Sequence, residues 1–219
     1  MAIQADDMKT IATQLRCPSG EDGLEIAGEM NKTNHGMTMN TIRHLDLKGH
    51  DRVLEIGPGN AQHLVELMKM APEINYNGLD ISADMKKEAE RINADFVRKK
   101  QAQFFHYSGE SFPFEDKTFD KIMTVNTLYF WEDPAATLQE IYRVLKPGGL
   151  CNITYSLKDF MKNLPFTVYG FQLYNDEDVL ALIEKSSFND SQIIPEIETV
   201  KSKHGEMVNR TYSVLIVRK

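Results

Sequence analysis

The apolar residues change their period near Arg52. Before it they recur at helical spacing: Met8, Ile11, Ala12 and Leu15 form one stripe, as one face of a helix with 3.6 residues per turn requires. The segment Cys17-Pro18-Ser19-Gly20 breaks that stripe. A second helical piece is expected near Leu24–Met30, and Met39, Ile42 and Leu45 mark a third. The polar stretch Asn31–Asn34 and Gly36 separate these two.

After Arg52 the runs are short and continuous. Val53-Leu54-Glu55-Ile56 stops at Gly57-Pro58-Gly59, the pattern of a buried strand entering a tight turn. Leu64, Leu67, Met68 and Ala71 mark a helix face, and Ile74–Ile81 reads as the next strand. Ser82 can cap a helix whose inner face holds Met85, Ala89, Ile92 and Phe96. Gln103–Tyr107 and Lys121–Val125 are the third and fourth strands. Asp133-Pro134 is a helix start, with Asp as cap and Pro in the first turn. Leu138, Ile141, Tyr142 and Leu145 continue that helix until Pro147-Gly148-Gly149 ends it.

Leu150–Tyr155 is the fifth strand, and Val179, Leu182, Ile183 and Ser186 place one more helix. Gln192–Val200 and Tyr212–Arg218 close the chain as strands with no helix between them. Strand–helix alternation predicts a Rossmann-like α/β fold: a mostly parallel seven-stranded sheet, helices on both faces and a C-terminal antiparallel hairpin. Residues 1–50 are expected to cap the ligand-binding end of a domain formed by residues 51–219, the two making one structural unit.

In such a sheet, ligands bind beyond the carboxyl ends of the strands at the topological switch point. The turn there reads Glu55-Ile56-Gly57-Pro58-Gly59-Asn60-Ala61. Gly57 and Gly59 let the backbone turn sharply and approach a ligand, and the next helix offers free N–H groups. Asp80 ends the second strand, about 20 residues on, where an acid accepts ribose hydroxyls. The two features together imply an adenosine-type ligand. A dinucleotide turn needs a third glycine, but Gln62 occupies that position. Glu55 would oppose a pyrophosphate and suits an ammonium group, such as a methionine moiety carries.

Four segments carry a family resemblance. Residues 53–61, VLEIGPGNA, resemble motif I of the class I S-adenosylmethionine-dependent methyltransferases, and Gly78-Leu79-Asp80-Ile81-Ser82 resembles their ribose-binding motif. Residues 111–120, SFPFEDKTFD, and residues 142–149, YRVLKPGG, resemble the segments that precede the family's fourth and fifth strands. The nearest subgroup is the small-molecule enzymes related to ubiquinone and menaquinone biosynthesis. The resemblance implies S-adenosylmethionine as cofactor. Glu55, Gly57 and Gly59 would then line its methionine part, with Pro58 and Asn60 as further cofactor-binding residues, Asp80 would hold the ribose and Ile81 would flank the adenine. An acid often stands beside the adenine amine in this family. Ser108 occupies that position here, which shifts the contact toward Gly109 and Glu110. Asn126 would offer its backbone near the sulfonium. Ala61 replaces the family's third glycine.

Methyl transfer from a sulfonium depends mostly on alignment and a dry site. A general base matters only for a protonated nucleophile, and His63, His35 and Tyr129 are the candidates. Met37, Tyr129 and Trp131 are candidates for acceptor contact, with wall packing as the alternative for the last two. The segment Phe160–Tyr174, which includes Phe166 and Tyr169, is either a wall for an apolar or aromatic acceptor or a satellite cluster under a loop.

Composition narrows the acceptor. The formal net charge of −7 disfavours nucleic acid and anionic membrane. Two cysteines, Cys17 and Cys151, give no disulfide framework or metal-ligand set and fit a cytoplasmic protein. No signal peptide or membrane span is expected, and no metal. Monomer and homodimer both stay open. An NAD-dependent oxidoreductase is opposed by Gln62 and Glu55. A protein that binds S-adenosylmethionine without catalysis remains open.

Overall fold

The computed structural model describes residues 5–201 and 207–219. Its seven-stranded sheet has the order β3-β2-β1-β4-β5-β7-β6. The strands are β1 Arg52–Ile56, β2 Asn75–Asp80, β3 Ala102–His106, β4 Phe119–Val125, β5 Leu145–Ser156, β6 Asp190–Lys201 and β7 Met207–Arg218. Strands β1 to β5 are parallel, and β7 runs antiparallel to both β5 and β6. The order reverses between β1 and β4, which puts the switch point at their carboxyl ends.

Alternate residues of the strands serve two apolar layers. Val53, Tyr76, Met123, Val214 and Ile216 face helices α2 (Gly20–Arg43), α3 (Leu64–Leu67) and α4 (Ala83–Ile92). Leu54, Ile56, Ile122, Ile153, Leu215 and Val217 face α6 (Pro134–Val144), α7 (Lys158–Met161) and α8 (Asp176–Glu184). Helix α1 is Ala5–Arg16, and α5, Ala94–Arg98, follows α4 after a break at Asn93. The Ser82 hydroxyl caps α4 by accepting the Met85 N–H at 3.1 Å. Asp133 caps α6 by accepting the Ala136 N–H at 3.0 Å.

Two of the four motif segments hold each other. Arg143 donates to the Phe114 carbonyl at 2.7 Å and to the Phe112 carbonyl at 3.1 Å, and it pairs with Asp116 at 2.9 Å. Lys146 reaches both oxygens of Asp120 at 2.8 Å. These contacts fix the entry into β4 and the start of β5. Helix α6 ends at Val144, and Leu145 already pairs with Phe119, so residues 145–149 belong to the strand side of that boundary.

The N-terminal segment departs from expectation. Residues 20–43 form one helix, not two pieces divided at Asn31–Gly36. Gly36 lies against β6: a Cβ there would displace the Glu198 carboxylate. The polar residues that resemble a loop are turned toward partners. Arg210 of β7, 6% exposed, donates to the Thr33 carbonyl at 2.6 Å and to Asn34 Oδ1 at 3.0 Å, and pairs with Glu198 at 2.6 Å. Deeper, Thr41 shares a 2.7 Å hydrogen bond with Thr154 of β5, and Asn152 donates to the Thr41 carbonyl at 3.0 Å. Met37, Ile42 and Leu45 belong to the sheet's own core, so this helix is a covering layer of the sheet.

Breaking the nearly buried Arg210–Glu198 pair should therefore loosen α2. Arg210→Met is expected to lower urea-unfolding stability by about 2–3 kcal/mol. A loss below about 0.5 kcal/mol would rank it with ordinary surface pairs.

Candidate active site

Beyond the carboxyl ends of β1, β2 and β4 lies a cavity of about 860 Å³. Its floor is the turn after β1. Gly57 has φ +70° and Gly59 φ +57°, a region open to glycine and costly for other residues. A Cβ on Gly57 would also meet Thr127 Cγ2 at 2.5 Å. Ala61 takes φ +49° and Asn126 φ +57°. Asparagine tolerates that conformation better than most residues, and Ala61, fully buried, holds it by packing.

Asp80 joins two turns. One oxygen accepts the Gly59 N–H at 3.0 Å and the other accepts the Ser82 N–H at 2.8 Å. A carboxylate offers about four acceptor positions, so about half remain open to the cavity that Asp80 lines. Burial raises its pKa to about 6, against the pull of the Ser82 and Gly59 N–H groups and with a smaller push from the Glu55 charge.

Glu55 is nearly buried and its Oε2 is fully engaged. It accepts the Tyr76 hydroxyl at 2.6 Å and contacts His63 Nε2 at 2.8 Å. Among the described residues its Oε1 has no hydrogen-bond partner. Burial opposes a charge on His63, but the Glu55 carboxylate and its hydrogen bond outweigh it, Glu66 adds to them, and the pKa rises above the ordinary value. His63 is thus tied to Glu55. His35 is half exposed and lies 3.8 Å from Glu66 on the cavity wall.

The sequence-derived residues divide into two groups. Glu55, Gly57, Pro58, Gly59, Asn60, Asp80, Ile81, Ser108, Gly109, Glu110 and Asn126 all line the cavity, as do His35, His63 and Trp131. Met37, Tyr129, Phe166 and Tyr169, the weaker acceptor-contact candidates, are not among its lining residues. Met37 and Tyr129 lie behind Asn126. The Asn126 amide donates to Asn34 Oδ1 at 3.2 Å and contacts Met37 Sδ at 3.6 Å, while its oxygen accepts the Tyr129 hydroxyl at 2.9 Å. Burial pushes the Tyr129 phenol far above its usual range. Phe166 packs on Phe171, and Phe171 packs on Phe130. Only Phe130 of that chain of rings reaches the cavity.

Residues not singled out from sequence complete the wall. Asn31, Asn34 and Thr38 line it from α2, with Gln62 below. Asn31 donates to Asn60 at 2.7 Å and to Gln62 at 2.9 Å. Helical spacing makes such a polar stripe look solvated, and only its position over the strand ends turns it into a wall. Arg16 of α1 bridges the mouth to Glu132 at 2.5 Å, and both line the cavity.

Residues 54–153 match a family model described as "Methyltransferase domain". The methyltransferase YdaC of Bacillus subtilis, uncharacterised by its description, is 33% identical over 130 residues, which are 59% of this chain and 70% of that protein. The chain belongs to the class I S-adenosylmethionine-dependent methyltransferases. The ubiquinone/menaquinone biosynthesis C-methyltransferase UbiE of Desulfotalea psychrophila is 25% identical over 192 residues, 78% of this chain and 76% of its own. Other relatives are longer, and the chain spans 45% and 51% of two of them. Among solved structures, a complex between the Haloferax volcanii Trm112 methyltransferase activator and a methyltransferase superposes with a TM-score of 0.72 at 15% identity, covering 97% of each chain. At that identity it supports the methyltransferase fold alone.

The cavity's chemistry fits the family's cofactor. Asp80 has free acceptor positions for hydroxyl donors, Glu55 Oε1 is an acceptor without a hydrogen-bond partner among the described residues, and the Gly57–Gly59 turn lines the cavity. Among the described residues no cluster of three or more His, Cys, Asp or Glu is placed to hold a metal, and no helix is long and apolar enough to cross a membrane.

The Glu55–His63 contact has a direct signature. In an NMR titration the His63 imidazole of this methyltransferase should titrate above 6.5, and Glu55→Gln should bring it down. A wild-type value at or below 6.5 would contradict the pairing.

Proposed function

We propose that this methyltransferase transfers a methyl group from S-adenosylmethionine to a small molecule with an apolar or aromatic body and a polar nucleophile. Bound S-adenosylmethionine supplies a methyl group already activated on a sulfonium. Asp80 accepts the ribose hydroxyls on its open positions. Glu55 Oε1 receives the ammonium of the methionine part, and the Gly57-Pro58-Gly59-Asn60 turn lies along that part. Ile81, Ser108, Gly109 and Glu110 surround the adenine. Asn126 presents its backbone toward the reacting end, held in place by Asn34 and Tyr129.

The acceptor reading rests on the wall facing Asn126. Phe130 and Trp131 supply an apolar side, and Asn31, Asn34 and His35 a polar one. A volume of about 860 Å³ is at the upper end of small-ligand pockets, which supports a cofactor with a small partner. Helix α2 lines the opening, and the net charge of −7 is unsuited to nucleic acid. Since His63 is bound to Glu55, alignment and exclusion of water carry the rate, and a base is reserved for acceptors that need one.

Two experiments test this. Labelled S-adenosylmethionine should pass its methyl group to a member of a panel of phenols, quinols and aromatic amines; labelling of tRNA or protein alone would contradict the acceptor class. The ionised Asp80 carboxylate is the better acceptor, so cofactor affinity should fall about fourfold from pH 7.5 to 5.5 as Asp80 takes up a proton near pH 6. Asp80→Asn should bind weakly and lose most of that dependence. A wild-type affinity flat across this range would refute the contact.

A further inference from the structure

Helix α2 runs from the cofactor cavity to a second one. Its last turn, with Arg43 and His44, overhangs the amino-terminal ends of β4 and β5, where Lys121 and Leu150 are paired. Arg43, His44, Lys48, Lys121 and Arg218 line this second cavity of about 480 Å³, with Asp46 as its one acid. In a chain of net charge −7, four cationic side chains and a histidine around one cavity with one acid are a local excess of positive charge.

Lys121 is the informative residue. It is 9% exposed and projects from β4 on the same face as Met123, toward α2. Among the described residues its ammonium has neither a hydrogen bond nor an ion pair. Lysine is almost never so buried unless it is paired. Burial lowers its pKa, Asp51, Asp46 and Asp120 oppose that from a distance, and Lys48 reinforces it. Those acids have other partners. Both oxygens of Asp120 take Lys146 at 2.8 Å, Asp51 accepts the Lys48 backbone N–H at 2.8 Å, and Asp46 lies 3.6 Å from the Lys48 ammonium. Arg43 has no ion pair among the described residues, and Arg218 has only a long one, 3.9 Å to Asp190.

We propose that this cavity is a second binding site, distinct from the cofactor site, for a small oxyanion of the phosphate type. Lys121 forms its floor, and Arg43, Lys48 and Arg218 its rim. An anion there gives the unpaired Lys121 ammonium, which opens onto the cavity, a partner, and charge-assisted hydrogen bonds are the stronger kind. The competing explanation is that these cations only complement the negative end of α2. That role needs no ligand.

Thermal unfolding with inorganic phosphate, against chloride at matched ionic strength, separates the two. The wild-type midpoint should rise saturably with phosphate, by about 5 °C near saturation. Lys121→Met keeps the side-chain volume and removes the unpaired charge. It should unfold no lower than wild type without phosphate and show no phosphate-specific rise. Amide shifts in the wild type should concentrate at Arg43, His44, Lys121 and Arg218. Equal rises in wild type and Lys121→Met, or no rise beyond the chloride control, would overturn the proposal. The result is independent of S-adenosylmethionine binding, so it stands or falls apart from the assigned activity.

Discussion

A carboxylate withdrawn from water has to be given hydrogen bonds, because an uncompensated buried charge costs several kcal/mol. Asp80 receives them from two different turns, through Gly59 after β1 and Ser82 after β2. The same two bonds that make the charge tolerable fix the distance between the turns. That distance sets the floor of the cavity. The compensation is incomplete, since burial still holds the group at about 6, and the remaining acceptor positions face the space where hydroxyl donors would complete it.

The roof is built by a comparable economy of polar contacts. Asn34 on α2 accepts from Arg210 on β7 and from Asn126 after β4. Asn126 in turn accepts the Tyr129 hydroxyl, and the Ser156 N–H donates to the Tyr129 oxygen at 2.5 Å. One part-buried chain of hydrogen bonds thus joins the hairpin, helix α2 and the loop after β4. Networks of this kind hold geometry well when every member is satisfied. They also make the N-terminal helix part of the site's architecture.

The sheet and the cofactor end of the site were legible in the sequence because their signals are local. A continuous apolar run, a glycine turn and an acid at the next strand end each follow from adjacent residues, and Val53–Ala61 with Asp80 carried them. The roof was not legible. Asn31–Gly36 has the composition of a loop, and only the long-range contacts from Arg210 and Glu198 explain why it stays helical and why Gly36 sits there. The aromatic segment left two readings open for the same reason. Phe166 and Tyr169 are rings near the right loop, but Phe130 and Phe171 stand between Phe166 and the cavity. Lys121 only opened the fourth strand in the sequence, and its burial depends on where α2 ends.

The account's central claim is that the turn after β1 and Asp80 form a site for an adenosyl amino acid rather than for a dinucleotide. Calorimetric titration of the purified protein with S-adenosylhomocysteine and, separately, with NAD tests it directly. The account predicts saturable one-to-one binding of S-adenosylhomocysteine and none of NAD. Saturable binding of NAD with no heat from S-adenosylhomocysteine would contradict it.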